Sequence, residues 1–116
     1  VADLGSGDGR VLIAFAQAGA QARGFEVDLY FVWKSRRVIK RMGLADKAVV
    51  HWQSFWQADL SQFDVVYVFC MPHFLKKLKQ KLEKELKPGA KVISYLYPIV
   101  GWQPKQEAEG LYLYRR

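Results

Sequence analysis

The sequence carries a single cysteine, Cys70, and only two histidines among its 116 residues. One thiol can form neither an internal disulfide nor a Cys-rich zinc site, so a reducing, cytoplasmic setting is expected. His51 and His73 have no Cys or His beside them, and no metal site is expected. Long apolar runs are missing as well. The longest, Val65–Met71, falls well under the roughly 20 residues of a bilayer-spanning helix. No basic segment precedes an apolar run at the start, so a secretory leader is not expected. Acidic residues are in deficit, 11 against 18 Lys+Arg, which leaves a net charge of +7. That balance suits an acidic partner such as nucleic acid, or equally a solvated lysine-rich surface. At 51% hydrophobic and 15% aromatic, the composition excludes a disordered tail or a fibre and predicts one domain over residues 1–116.

What is present is an alternation of two periodicities. Val1–Leu4 is a short apolar run that ends in Gly5-Ser6-Gly7-Asp8-Gly9, and Val11–Ala18 after it is rich in helix formers. Ala22–Val27 reads as a second strand. Asp28 would cap the next helix, whose inner face would carry Phe31, Ser35, Val38, Ile39 and Met42 before Gly43 ends it. Ala48–Trp52 reads as a third strand, and Ser54–Phe63 as irregular chain with room for one helical turn. Asp64–Cys70 holds a β-branched and aromatic run suited to a strand buried on both faces. In Phe74–Leu86 the stripe Leu75, Leu78, Leu82, Leu86 runs between lysines, and Pro88-Gly89 stops the helix. Ala90–Tyr97 is a fifth strand, Pro98–Glu109 a loop, and Leu111–Arg115 a last strand returning antiparallel beside the fifth. This β-α alternation predicts an α/β, Rossmann-like, doubly wound and mostly parallel sheet.

In such sheets ligands bind beyond the carboxyl ends of the strands, near the switch point. The glycine cluster falls there. Asp3 ends the strand beneath it, and Glu26 ends the second strand, where a carboxylate can accept ribose hydroxyls. The dinucleotide fingerprint Gly-x-Gly-x-x-Gly begun at Gly5 would need a glycine where Arg10 stands. The chain reads Asp-x-Gly-x-Gly-x-Gly from Asp3 to Gly9 instead. Asp3 and Asp8 would repel a pyrophosphate and favour a cationic nucleoside such as S-adenosylmethionine, with its ammonium and sulfonium. No Gly-Lys-Ser/Thr follows, which excludes a Walker loop. The competing readings are a plain strand–helix turn for the glycines and a surface carboxylate for Glu26. His73, just past the fourth strand, is a candidate base and equally a solvent-facing residue at a helix start. Trp102, in the loop after the fifth strand, is the best of the tryptophans for substrate contact; core or cover is the alternative for each.

Val1-Ala-Asp-Leu-Gly-Ser-Gly-Asp-Gly-Arg10 resembles the first motif of the seven-strand S-adenosylmethionine-dependent methyltransferases. Gly24-Phe-Glu-Val, Val32-Trp33, Ser35-Arg36, Asp59-Leu60-Ser61, Met71-Pro72, Glu85-Leu86-Lys87-Pro88-Gly89-Ala90 and Tyr97-Pro98 narrow it. Together they resemble the small protein-lysine methyltransferases of the ATP synthase c-subunit and the adenine nucleotide translocase, with their prokaryotic relatives. The resemblance covers nearly the whole chain. It implies strand order 3-2-1-4-5 with the antiparallel strand last, S-adenosylmethionine as cofactor, and methyl transfer to a protein lysine. RNA or small-molecule methylation on the same fold, and a truncated non-catalytic core, are the alternatives. By position, Asp3, Gly5, Ser6, Gly7 and Gly9 would wrap the methionine end and Glu26 would hold the ribose. Ser54 and Phe55 would flank the adenine, where many members carry an Asp. Met71, Pro72 and His73 would line the methyl-transfer side. Eukaryotic members have a membrane segment and helices ahead of this motif, so the strand at Val1 is expected to be the cut edge of a larger unit.

Overall fold

Ala2–Leu4 (β1) is a strand of three buried residues. It is short because Gly5 turns the chain directly after it, at φ +75°. In the computed structural model, which describes residues Val1–Arg116, β1 belongs to the first of two compact units, Val1–Ala58 and Asp59–Arg116.

The first unit continues with α1 (Arg10–Gln17), β2 (Ala22–Glu26), α2 (Leu29–Arg41) and β3 (Ala48–Trp52). Its strands lie in the order β3-β2-β1, all parallel, with Ala2 opposite Arg23 and Glu26 opposite Trp52. Leu12, Ile13 and Ala16 of α1 meet Val32 and Ile39 of α2 and Val50 of β3 in one apolar cluster. The Asp28 side chain accepts the Tyr30 N–H at 2.9 Å and so caps α2 as the sequence predicts. The inner stripe of α2 is Val32, Ser35 and Ile39. Met42, expected inside, is 46% exposed, because it lies at the end of the helix where the chain leaves through Gly43. After β3, Ser54 accepts the Trp56 N–H at 3.3 Å and starts a single 3-10 turn, Phe55–Gln57.

The second unit holds β4 (Val65–Val68), a 3-10 turn at Pro72–Phe74, α3 (Leu75–Glu85), β5 (Lys91–Tyr95), β6 (Gln106–Ala108) and β7 (Leu111–Arg115). The order is β4-β5-β7-β6. Strands β4 and β5 are parallel, and β7 runs antiparallel to both β5 and β6. The stripe Leu75, Leu78, Leu82, Leu86 is buried throughout. Two expectations change. In β4, Val66 and Val68 are fully buried while Val65 and Tyr67 are half-buried and Phe69 beyond them is 49% exposed, so burial alternates instead of covering both faces. Within the expected loop Pro98–Glu109 the chain forms β6, exposed at every residue. Gln-Glu-Ala has no apolar alternation to announce a strand. The turn makes it, since Glu109 and Gly110 both take positive φ, 51° and 81°, as a two-residue hairpin requires. No helix is long and apolar enough to cross a membrane.

Glu85 ties α3 to the chain that precedes β4. One carboxylate oxygen accepts the Leu60 N–H at 3.0 Å and the other pairs with Lys81 Nζ at 2.7 Å. The side chains of Lys81 and Glu85 are only 10% and 23% exposed. Glu85→Ala removes the acceptor of the Leu60 amide and the 2.7 Å carboxylate partner of Lys81, so a loss of about 1–3 kcal/mol is expected. Chemical denaturation read by circular dichroism measures it; Glu85→Gln, which keeps the amide bond, should lose less.

Candidate functional site

The loop Gly5–Gly9 takes its shape from backbone hydrogen bonds to the neighbouring strand. The amides of Gly5 and Ser6 both donate to the Phe25 carbonyl, at 2.9 and 3.1 Å, and Gly9 N–H donates to the Ser6 carbonyl at 3.0 Å. Gly5, Gly7 and Gly9 all have positive φ, which other residues adopt only with strain. A Cβ on Gly5 or Gly7 would meet nothing within 4 Å, so these two line open space. Gly9 is different. A Cβ there would lie 2.9 Å from Cβ of Ser35, so a glycine on the loop and a small residue on α2 together let the start of α1 pack down. Gly24 of β2 has the same role under Ser6: a Cβ would come within 2.7 Å of the Ser6 side chain. The pairing of Gly24 with Ser6 and of Gly9 with Ser35 escapes sequence reasoning. Its only trace is a small residue at a strand or helix position where a bulky one would otherwise serve.

Glu26 reaches back into this loop. Its Oε1 accepts the Gly7 N–H at 2.7 Å, and its Oε2 accepts the Val27 and Asp28 N–H groups at 3.0 and 2.9 Å. It is therefore no free surface carboxylate. Oε1 keeps one lone pair for a ligand hydroxyl, while a second hydroxyl would have to displace an amide from Oε2. The chain after β3 joins the same edge, because Gln53 N–H donates to the Glu26 carbonyl at 3.1 Å. That brings Ser54 and Phe55 beside β2's end. Val27, next to Glu26, is 64% exposed, and offers a flat apolar surface to a planar ring.

Asp3 is 2% exposed at the end of β1. Burial, then the nearby charge of Glu26, push its pKa up to about 7, against a smaller opposing effect of the Leu12 N–H bond. Its Oδ2 and the Ser6 hydroxyl are the buried side-chain atoms without a hydrogen-bond partner, which marks them as groups waiting for a ligand or water. Asp8 behaves otherwise than expected. Arg10 clamps its carboxylate, with Nη2 to Oδ2 at 2.8 Å, and hydrogen bonding from that guanidinium lowers its pKa. The Asp8 charge is paired with Arg10, whereas Asp3 and Glu26 are carboxylates with no cation on them.

In the second unit, Met71, Pro72 and His73 follow β4 and are all exposed. The His73 ring contacts Phe74, with centroids 4.1 Å apart. The chain after β5 closes over the same end of the unit. Phe69 stacks on Tyr97 at 6.1 Å and meets Tyr95 edge-on at 5.6 Å. A groove of about 530 Å³ lies between Pro72, Leu75 and Lys79 on one side and Tyr97, Pro98 and Val100 on the other. The turn into it is strained, since Leu96 has φ 69°. The Ser94 hydroxyl, donating to the Tyr97 carbonyl at 2.6 Å, helps to hold it. Trp102 lies elsewhere in the unit. It packs edge-on against Tyr114 at 5.6 Å and under the Arg116 guanidinium at 5.3 Å, beside residues that pair with the first half of β5. The structure therefore groups Pro72 with Tyr97, whose ring stacks on Phe69, and not with Trp102. Cys70 is buried, and His51 stacks on Phe25 at 5.3 Å.

The raised pKa of Asp3 fixes a pH dependence. The folded chain keeps this proton up to about pH 7, whereas the unfolded chain releases it near 3.8. Stability supplied by the protonated form is thus lost as pH rises across that window. Asp3→Asn removes the loss. The variant should be more stable than the parent at pH 8, with an advantage that shrinks toward pH 5, as thermal melts across that range would measure.

Comparison with known proteins agrees with this geometry. The model of the ANTKMT methyltransferase domain matches residues 3–106. The ATP synthase c-subunit lysine N-methyltransferase of Rattus norvegicus is 39% identical over 102 residues, which are 88% of this chain and 47% of that protein. A protein-lysine N-methyltransferase of Saccharolobus islandicus is 37% identical over 108 residues, 91% of this chain and 67% of that one. The crystal structure of an RNA methyltransferase from Salinibacter ruber in complex with S-adenosyl-L-homocysteine matches with a TM-score of 0.87 and 36% identity. That match covers 98% of this chain and 76% of the other. The chain spans less than half the length of the rat relative. The fold is the Rossmann-like α/β fold of these enzymes, and the chain belongs to the ANTKMT methyltransferase domain family.

Proposed function

We propose that residues 1–116 are one methyltransferase core that binds S-adenosylmethionine and delivers its methyl group to a protein lysine. The observation that carries this reading is the glycine loop held by Glu26 through Gly7, next to the unpartnered oxygens of Asp3 and Ser6. The residues fit the cofactor. Asp3 and Glu26 offer two carboxylates, the first buried, to an ammonium, Glu26 Oε1 has a lone pair for a ribose hydroxyl, and Gly5 and Gly7 leave room for close approach. The Ser54 hydroxyl and Val27 sit where an adenine would need a polar edge and an apolar face. The names of the curated relatives support lysine as acceptor, and the free, buried thiol of Cys70 suits a reducing compartment such as the cytoplasm.

When bound, the cofactor supplies a methyl group on a positive sulfur, a leaving group good enough that positioning carries most of the catalysis. The chain's part is to fix the cofactor and to exclude water. The acceptor amine attacks in its neutral form and afterwards gives its proton to solvent. His73, exposed and in contact with Phe74, is not needed for that step. His73→Ala should change the turnover rate by less than about tenfold, whereas loss of a true general base costs about 100-fold or more.

Titration calorimetry with S-adenosylhomocysteine tests the cofactor site. Binding should weaken on the order of 30-fold in Glu26→Ala, which loses a charge-assisted contact and the anchor of Gly7. Binding should also weaken as pH falls below about 7, where Asp3 takes up its proton. Absence of binding by the parent chain at any pH would overturn the reading.

One observation favours a second acceptor. The Salinibacter ruber protein, 36% identical to this chain, is named an RNA methyltransferase, and the charge of +7 suits a polyanion. Transfer of radiolabelled methyl to a cell extract separates the two. Label removed by protease supports lysine, and label removed by nuclease supports RNA.

A further inference from the structure

The exposed side of α2 is divided along its length. Its first turns present Leu29, Tyr30 and Trp33, which are 51%, 59% and 56% exposed, and Trp52 at the end of β3 stands beside them at 63%. The Trp52 indole N–H donates to the Val27 carbonyl at 3.0 Å, which holds that ring against the start of the helix. The later turns present Lys34, Arg37, Lys40 and Arg41, and α2 contains no acidic residue. Opposite them, Val32, Ser35 and Ile39 face the core, so the exposed arc is not one the unit itself could bury. A single exposed Leu or Trp needs no explanation. Four large apolar side chains at one end of a helix, followed by cations with no counter-charge on that helix, form a patterned surface.

We propose that this end of α2 docks on an anionic phospholipid surface, with Leu29, Tyr30, Trp33 and Trp52 entering the interface and the cations behind them meeting lipid phosphates. The spacing fits. At 1.5 Å per residue, Trp33 and Lys40 lie about 10 Å apart along the axis, so with the start of α2 entering first Lys40 stands well above the rings. Tyrosine and tryptophan are the aromatic residues that favour this depth, since each has an apolar ring and a polar tip. A groove of about 480 Å³ between Leu29, Trp33 and the stems of Arg36, Arg37 and Lys40 gives room for an acyl chain below a phosphate.

The same basic and aromatic residues could also stack nucleotides, and the RNA arm of the test below separates the two. Lys34 Nζ lies 6.0 Å from the Tyr30 ring centre and the Arg37 guanidinium 5.4 Å from that of Trp33. Each cation lies over one face of its ring. At a membrane the pairs stay intact, with the ring below and the charge at phosphate depth.

The test is co-sedimentation of the full chain with vesicles of phosphatidylcholine containing 30 mol% phosphatidylglycerol, beside vesicles of phosphatidylcholine alone. Binding should require the anionic lipid, weaken with added salt, and shift tryptophan emission to the blue. Leu29→Ser with Trp33→Ser, and separately Arg37→Glu with Lys40→Glu, should each weaken it by about tenfold or more, from the loss of buried apolar area and of phosphate pairing. Circular dichroism establishes that both variants fold, as expected for positions on the outer side of the helix. Equal binding to neutral vesicles would overturn the proposal, as would no binding to either. So would binding of a single-stranded RNA oligonucleotide that the same substitutions abolish while vesicle binding persists. Self-association of the parent chain lost in both variants would assign the face to a second copy instead.

Discussion

One hydrogen bond organises the first unit: the 2.7 Å contact from the Gly7 amide to Glu26. It links the end of β2 to a loop in which three of the five residues are glycines. A loop with three glycines at positive φ has many alternatives in the unfolded chain, and fixing it is entropically costly. The carboxylate offsets that cost with one charged acceptor shared among three backbone amides. The rest follows from the position this imposes. Ser6 comes down on β2 where Gly24 has no Cβ, and Gly9 comes down on α2 where Ser35 is small. The loop, the strand and the helix are therefore one packing problem, solved by small residues at three separated places in the chain.

The second consequence is electrostatic. Holding Glu26 at the loop puts a negative charge near Asp3, which burial has already desolvated, and both effects raise the Asp3 pKa. The buried oxygens of Asp3 and Ser6 are also without partners. Such groups cost stability until something charged or polar meets them. Asp8, of the same residue type on the same loop, lacks this character because Arg10 satisfies it.

Much of this is legible in the sequence, for physical reasons that can be named. Alternating periodicities mark the helices and the principal strands, and the glycine spacing with Asp3 and Glu26 singles out the loop that Glu26 holds. What escapes depends on contacts between distant residues. Nothing near Gly24 says that Ser6 will rest on it, and nothing near Asp8 says that Arg10 will fold back instead of reaching solvent. Strand β6 has no pattern of its own to read, because a hairpin turn, not its own residues, puts Gln106–Ala108 beside β7. The place of Trp102 after the fifth strand groups it with the substrate side, whereas the return segment carries it past Tyr114 to Arg116. Phe69 and Tyr97, far apart in the chain, meet at the other end through their stacking, which no spacing announces.

The two halves of the chemistry are thus encoded differently. The cofactor end is written in backbone demands, glycine where φ is positive and a carboxylate where amides converge, and such demands leave few substitutions open. The acceptor end, as the resemblance places it, would lie among exposed side chains, Met71 to His73, where many residues satisfy the fold equally well. Proteins named for lysine and for RNA acceptors accordingly lie at 39% and 36% identity to this chain. The acceptor has to be sought in surfaces that the fold does not dictate, where a change of a few side chains alters what docks without disturbing Glu26 or the glycines it holds.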